Sequence, residues 1–316
     1  MLMTFLAHKR IVVTGGAGFL GRAVCRLLQE RGVPRERVFV PRRRDFDLTV
    51  EADVVRLYET ARPDVVIHLA AEVGGIGANM AHPGRFFFAN MAMGLHLVEH
   101  ARRAGIRKFV HTGTVCAYPK FAPIPFQEDD IWNGYPEETN APYGVAKKAL
   151  FVMLDGYRRE YGLESAVAVP VNLYGPGDNF DPASSHVIPA LIRKCEEARL
   201  AGAEEVVCWG TGSATREFLY VDDAAEGIIR AAEVMNEPVP INLGGGQEIS
   251  IRDLVTKIAA ACGYTGRVVW DASKPDGQPR RALDISRARD LLGWRPRQDF
   301  DTGLATTVGW WRAHQG

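Results

Sequence analysis

Arg10-Ile11-Val12-Val13-Thr14-Gly15-Gly16-Ala17-Gly18-Phe19-Leu20-Gly21 is the stretch that decides the fold. Its first half is a short β-branched run and predicts a buried strand. The glycines follow at once. Arg22 to Arg31 then carries helical periodicity through Ala23, Val24, Leu27 and Leu28 and ends near Gly32. A strand, a Gly-rich turn and a helix in that order give a G-x-x-G-x-x-G pattern physical meaning. Glycines permit the tight turn and let a pyrophosphate approach the backbone at the helix N-terminus. Gly15, Gly18 and Gly21, with Phe19 and Leu20 between them, are therefore expected to hold a dinucleotide.

Outward from this unit, Val38-Phe39-Val40 predicts the second strand. An acidic residue at the end of such a strand would hold a ribose 2′-hydroxyl, as in NAD binders. Here Pro41-Arg42-Arg43-Arg44 stands there. Guanidinium groups suit a 2′-phosphate, so Arg42 and Arg43 point to NADP(H) rather than NAD(H). Asp47 and Leu48 follow, where an adenine commonly lies in this arrangement. Asp64 to Leu69 predicts a third strand, which runs into Ala70, Ala71 and a small-residue segment to Gly77. Arg85 to Ala104 reads as a long helix and Phe109-Val110-His111 as a fourth strand. Thr112-Gly113-Thr114-Val115-Cys116 leaves the carboxyl end of that strand, where ligands bind in open parallel sheets. A Pro-rich loop leads to a helix from Tyr143 to about Tyr161, and Ala166 to Val169 is a further strand.

Strands alternating with helices of this length predict an α/β fold, a Rossmann-type doubly wound parallel sheet. Residues 1–172 are expected to form it. After Tyr174-Gly175-Pro176-Gly177 the regularity drops. Helices are expected at Ile188–Arg199, Asp222–Met235, Ile251–Cys262 and Asp301–His314. Short strands fit Val206–Cys208, Val239–Leu243 and Val268–Trp270. Residues 173–316 thus predict a smaller mixed α/β domain for substrate, with the chain returning to the first sheet at about 216–246.

Tyr143 and Lys147 lie four apart in Tyr143-Gly144-Val145-Ala146-Lys147, so a helix stacks them on one face. A free phenol has a pKa of about 10. A lysine cation one turn away is expected to lower it, making the phenol a proton carrier near neutrality. Such spacing also arises by chance, and a surface tyrosine over a solvated lysine fits it as well.

The chain of 316 residues holds 38 Lys plus Arg against 38 Asp plus Glu, so its formal charge is zero. That balance gives no ground for a nucleic-acid or anionic-membrane partner. No apolar run reaches the roughly 18 residues of a membrane span. Met1 to Arg10 lacks a signal-peptide core. The five cysteines show no metal-ligand spacing. A cytoplasmic protein without a metal is expected.

Together the glycine turn, Thr114, Tyr143 and Lys147 resemble the extended short-chain dehydrogenase/reductase family, sugar-nucleotide branch, across nearly the whole chain. There the hydroxyl residue and the tyrosine hold the substrate oxygen, and the lysine binds the nicotinamide ribose. The stretches Cys116-Ala117-Tyr118-Pro119-Lys120, Asn172 to Phe180, Ser185 to Leu191, Arg216 to Asp223 and Lys274-Pro275-Asp276-Gly277 resemble the 3,5-epimerase/4-reductase members. Those convert GDP-4-keto-6-deoxy-D-mannose to GDP-L-fucose with NADPH. The resemblance implies Cys116 and His186 as the epimerising pair, with Leu69, Ala70, Ala71, Thr112, Gly113, Pro170, Asn172, Leu173 and His186 at the cofactor. It implies Asn172, Val187, Lys194, Trp209, Arg216, Lys274 and Asp276 at the GDP-sugar, and a homodimer.

Taken singly, Cys116 also fits an apolar filler, His186 a helix cap, Trp209 a core residue and Lys194 a solvated face. Thr114 stands where those members usually carry Ser, Lys194 where they carry Arg, and Ala17 where many carry a basic residue. These departures leave room for another GDP- or UDP-4-keto sugar. A redox-neutral 4-epimerase or 4,6-dehydratase is a second reading, and a non-catalytic nucleotide sensor a third.

Overall fold

The computed structural model describes residues 5–182, 184–274 and 278–315. In chain order the elements are β1 (Ile11–Thr14), α1 (Phe19–Glu30), β2 (Val38–Phe39), α2 (Glu51–Ala61), β3 (Val65–His68), α3 (Ile76–Ala81), α4 (Pro83–Arg103), β4 (Lys108–Thr112), α5 (Ala141–Tyr161), β5 (Glu164–Pro170) and β6 (Asn172–Tyr174). They continue as α6 (Val187–Ala201), β7 (Glu205–Trp209), β8 (Thr215–Tyr220), α7 (Val221–Val234), β9 (Pro240–Leu243), β10 (Glu248–Ser250), α8 (Ile251–Cys262), β11 (Arg267–Asp271), β12 (Arg280–Arg281), α9 (Ser286–Leu292) and α10 (Phe300–Ala313).

Six strands form one sheet in the order β2-β1-β3-β4-β5-β9. Every pairing in it is parallel. β1, β3 and β4 are buried along their whole length, as strands covered on both faces must be. Helices α1 and α7 pack together, and α4 packs on α5. The strand order turns back at β1, so the crevice beyond the carboxyl ends of β1 and β3 is the place where such sheets bind ligands. Register brings Thr14, His68 and His111 side by side at that edge.

A second core gathers Tyr174, Phe180, Ile192, Phe218, Leu254 and Ile258. Around it β8 pairs with β10, β12 and β6, and β7 pairs with β11. The chain crosses between the two bodies at Tyr220–Val221, where β8 ends and α7 begins. β9 then joins the first sheet beside β5. Among the described residues no helix is long and apolar enough to cross a membrane.

One buried side chain ties the loop after β4 to the segment after β12. Asn242 Oδ1 accepts from the Tyr118 hydroxyl at 2.7 Å, and its Nδ2 donates to the carbonyls of Phe126 and Asp284 at 2.9 and 3.1 Å. Its backbone N–H donates to Glu128 Oε1 at 2.9 Å. Replacing Asn242 by Ala leaves the Tyr118 hydroxyl and the Asp284 carbonyl without this partner, while the Phe126 carbonyl keeps the Asp284 N–H. Each such group costs about 1–3 kcal/mol, so urea unfolding of Asn242→Ala should show a loss on the order of 3 kcal/mol.

Candidate active site

A cleft of about 1730 Å³ lies between the carboxyl edge of the six-stranded sheet and the second body. One end is built by the turn from β1 to α1. Gly15 turns there with φ +71°, and a side chain at Gly21 would overlap the Gly15 carbonyl oxygen. No side chain caps α1. Its first N–H groups and the positive end of the helix dipole are left for an anion. Gly15, Gly18, Phe19, Leu20, Gly21, Arg42, Arg43, Asp47, Leu48, Leu69, Ala70 and Ala71 all line this part. Arg42 is exposed at the mouth. Arg43 lies between Glu72, at 3.5 Å, and Asp47, at 3.6 Å. A glycine cradle, an uncapped helix and two guanidiniums where an acid would reject a phosphate fit a 2′-phosphorylated dinucleotide.

Further along lie Thr112, Gly113, Thr114, Cys116, Tyr143, Lys147, Pro170, Asn172, Leu173 and His186. Their placement depends on one close approach. α5 rests on the 3₁₀ turn Val115–Ala117 at Gly144, where any Cβ would overlap the Cys116 carbonyl oxygen. This sets the first turn of α5 directly against the Thr114–Cys116 segment. Thr114 Oγ1 accepts from the Cys116 N–H at 3.2 Å, which leaves its own proton to donate. The Thr114 side chain also reaches the Tyr143 phenol and favours its ionised form.

Burial outweighs that bond. Tyr143 is 7% exposed and Lys147 2% exposed. Burial, joined by the Cys116 charge, raises the phenol above its ordinary value. Burial alone brings the Lys147 ammonium down to about 7. The expected depression of the phenol by its lysine is therefore corrected. Helical spacing brings the groups near one another, but the dry surroundings disfavour both charges. Tyr143 is held as a neutral phenol, the form that donates a proton. Two more buried bases lie below: burial and the Lys147 charge push His68 and His111 well below the usual histidine range.

His186 stands at the N-terminus of α6 and opens onto the cleft. The cleft wall still surrounds its imidazole, and this burial lowers its pKa and favours the neutral ring. Val187, Lys194, Trp209 and Arg216 line the far end. Lys194 Nζ donates to the Val207 carbonyl at 2.7 Å. Lys274 is not on the cleft wall. Its ammonium sits 5.7 Å from the centre of the Trp209 ring. Asp276 lies outside the described residues.

Among the cleft residues to which the sequence reading gives no role, Arg281 and Asp178 stand out. Arg281 Nη1 donates to Cys116 Sγ at 3.8 Å. It comes from a strand of two residues, and nothing local pairs it with a position 165 residues earlier. Asp178 has an unpartnered buried oxygen, and burial raises its carboxyl to about 7. In the sequence it lies within the Asn172 to Phe180 stretch, as an acid after a Gly-Pro-Gly turn, without a role of its own.

The sequence profile of the NAD dependent epimerase/dehydratase family matches residues 11–244. The chain belongs to this family. Among family relatives, GDP-L-fucose synthase of Escherichia coli K12 is 40% identical over 98% of this chain and 98% of its own. GDP-L-fucose synthase 1 of Arabidopsis thaliana is 40% identical over 96% of this chain and 93% of its own. The crystal structure of a GDP-L-fucose synthetase from Naegleria fowleri bound to NADP aligns with a TM-score of 0.88 at 29% identity. That alignment covers 98% of this chain and 94% of the other. The profile match spans β1 to β9 and so holds the glycine turn, Thr114, Tyr143 and Lys147 together.

Two measurements test this geometry. Gly144→Ala forces α5 off the Cys116 carbonyl. Unfolding free energy should fall by about 1–3 kcal/mol, and turnover by about 100-fold, the cost of a shift near 1 Å. The lowered pKa of Lys147 makes stability depend on pH. The folded lysine loses its proton near 7, whereas the unfolded one keeps it to about 10.4. The penalty is full below pH 7 and shrinks as pH rises, so stability attributable to this group grows with pH. Between pH 7 and 9 the thermal midpoint of the ligand-free protein minus that of Lys147→Met should rise. A flat difference would show that the ammonium is not held in a dry site.

Proposed function

We propose that the protein converts GDP-4-keto-6-deoxy-D-mannose to GDP-L-fucose, inverting C3 and C5 and then reducing C4 with NADPH. The observation that carries this reading is that Cys116 and His186 share one cleft with Thr114, Tyr143 and Lys147. A simple reductase needs only the last three. The full-length relatives named GDP-L-fucose synthase support the sugar. The guanidiniums of Arg42 and Arg43 and the NADP-bound relative support the cofactor.

The chemistry follows from the substrate. C3 and C5 flank the C4 ketone, so loss of either proton gives an enolate whose charge rests on the C4 oxygen. The Thr114 and Tyr143 hydroxyls donate to that oxygen. Inversion takes a proton from one face and returns one to the other, so two groups must face each other across the ring. Cys116 and His186 are those groups, a thiol and an imidazole able to take and give protons. Reduced NADP supplies the hydride for C4 when bound. Tyr143, kept neutral by burial, gives its proton to the C4 oxygen, and Lys147 holds the nicotinamide ribose. Asn172, Val187, Lys194, Trp209 and Arg216 hold the GDP-sugar, together with Lys274, which lies beside Trp209, and Asp276.

In this reading residues 1–172, with α7 and β9, form the cofactor domain and most of 173–316 the substrate domain. The protein works as a cytoplasmic homodimer. Helices α4 and α5 pair with their copies through Phe88, Leu95 and Val152, which are 65%, 43% and 57% exposed. Five free cysteines suit a reducing compartment.

Incubation with the 4-keto sugar and NADPH should consume cofactor and yield GDP-L-fucose. A redox-neutral epimerase or dehydratase would turn over without net NADPH loss. Tyr143→Phe should lower reduction by about 10²–10⁴-fold, the usual weight of a general acid, yet keep measurable solvent exchange at C3 or C5. Cys116→Ser and His186→Asn should lose that exchange. Equal loss of both activities in Tyr143→Phe would mean the labour is divided otherwise.

A further inference from the structure

Side chains along a strand alternate between its faces. On β12 this separates two consecutive arginines. Arg280 turns outward and pairs with Glu248 on β10, its Nε 2.8 Å from Oε2. Arg281 turns into the cleft, where Nη1 reaches Cys116 Sγ at 3.8 Å. Gln278 fixes the rest of the guanidinium. Its Oε1 accepts from Arg281 Nε at 3.2 Å and Nη2 at 2.9 Å, and its own amide donates to the Lys120 carbonyl at 3.0 Å.

The backbone beneath is held as firmly. β12 pairs with β8, Arg281 opposite Arg216. The buried Glu217 accepts from the Leu283 N–H at 2.8 Å and the Gly246 N–H at 2.6 Å. The Phe126 N–H donates to the Ala282 carbonyl at 2.8 Å. A cation is thus aimed at the sulfur from a segment anchored on both sides. The nearby carboxylate of Glu137 also feels Arg281, but it is engaged by Thr139 and Asn140.

We infer that Arg281 is a positioning residue for epimerisation. It carries the charge on Cys116 and turns the sulfur toward the sugar ring, with Gln278 holding its fork. The inference rests on Cys116 being a proton-moving group at C3 and C5. In the step it serves, an S–H bond forms as the C–H bond breaks. The C–H electron pair moves to the C4 oxygen, and a proton from the opposite face later restores a C–H bond. No net oxidation occurs. The guanidinium balances the sulfur charge before this transfer. Arginine suits the task because its fork binds Gln278 and sulfur together and never loses its charge.

The test uses the full-length protein with NADPH. Iodoacetamide alkylation of Cys116 is followed by peptide mass spectrometry, and deuterium wash-in at C3 and C5 by NMR. Arg281→Gln should slow both by about tenfold, the scale expected when a thiolate loses its cation. The KM for the keto sugar should stay within about twofold. Arg281→Lys should recover most of both rates. Gln278→Leu keeps the cation but frees it, and should shift both in the same direction by less. A wild-type alkylation or wash-in rate in Arg281→Gln overturns the inference. So does a rise in KM with unchanged wash-in, which would make Arg281 a substrate contact. Cys116→Ser controls for the underlying reading: if it keeps wild-type wash-in, that reading fails whatever Arg281 does.

Discussion

The site depends on one contact without a side chain, Gly144 against the carbonyl of Cys116. It lets the helix that carries Tyr143 and Lys147 rest directly on the turn that carries Thr114 and Cys116. Any side chain would push the two apart. The hydroxyls of Thr114 and Tyr143 are then within hydrogen-bond reach of each other, and the Cys116 thiol lines the same cleft. One backbone approach therefore joins groups suited to reduction and groups suited to proton exchange, on a sheet edge where ligands bind by topology alone.

The cost of that packing is electrostatic. Tyr143 and Lys147 are dry, and burial works against the charge of each. A neutral phenol is a poor base but a good donor, which fits a late proton delivery to an alkoxide. The thiol is treated differently. Cys116 is partly exposed and faces Arg281, which is anchored through Gln278 and the β12–β8 pairing. The same cleft thus keeps one acid neutral and gives another group a cationic neighbour.

The glycine turn, the order of strands and helices and the Tyr143 helix were legible because each is written in consecutive residues. Motif residues that leave strand ends, such as Ala70 and Thr114, line the cleft, whereas Lys274 does not. What escaped depends on distance or dielectric. The Glu51–Ala61 helix, which buries Val54, Leu57 and Tyr58, is an element the sequence reading does not contain. The segment from Ala70 to Gly77 reads as a small-residue loop, yet its last residues begin α3, with Gly75 before the first turn. Thr215–Tyr220 is the central strand of the second sheet, so the return to the first sheet begins at Val221. Helical spacing placed Lys147 beside Tyr143 but said nothing of the dryness that sets both pKa values. The Arg281–Cys116 contact joins positions 165 residues apart, which local pattern cannot express.

The central claim is that one cleft inverts two carbons before it reduces a third. A single turnover in deuterium oxide, with enzyme in excess over the keto sugar and unlabelled NADPH, tests this most directly. NMR of the quenched product reads deuterium at each carbon. The account predicts GDP-L-fucose with deuterium at both C3 and C5 and protium at C4, with label entering the keto sugar before any C4 alcohol forms. A C4-reduced sugar that keeps protium at C3 and C5 would contradict it.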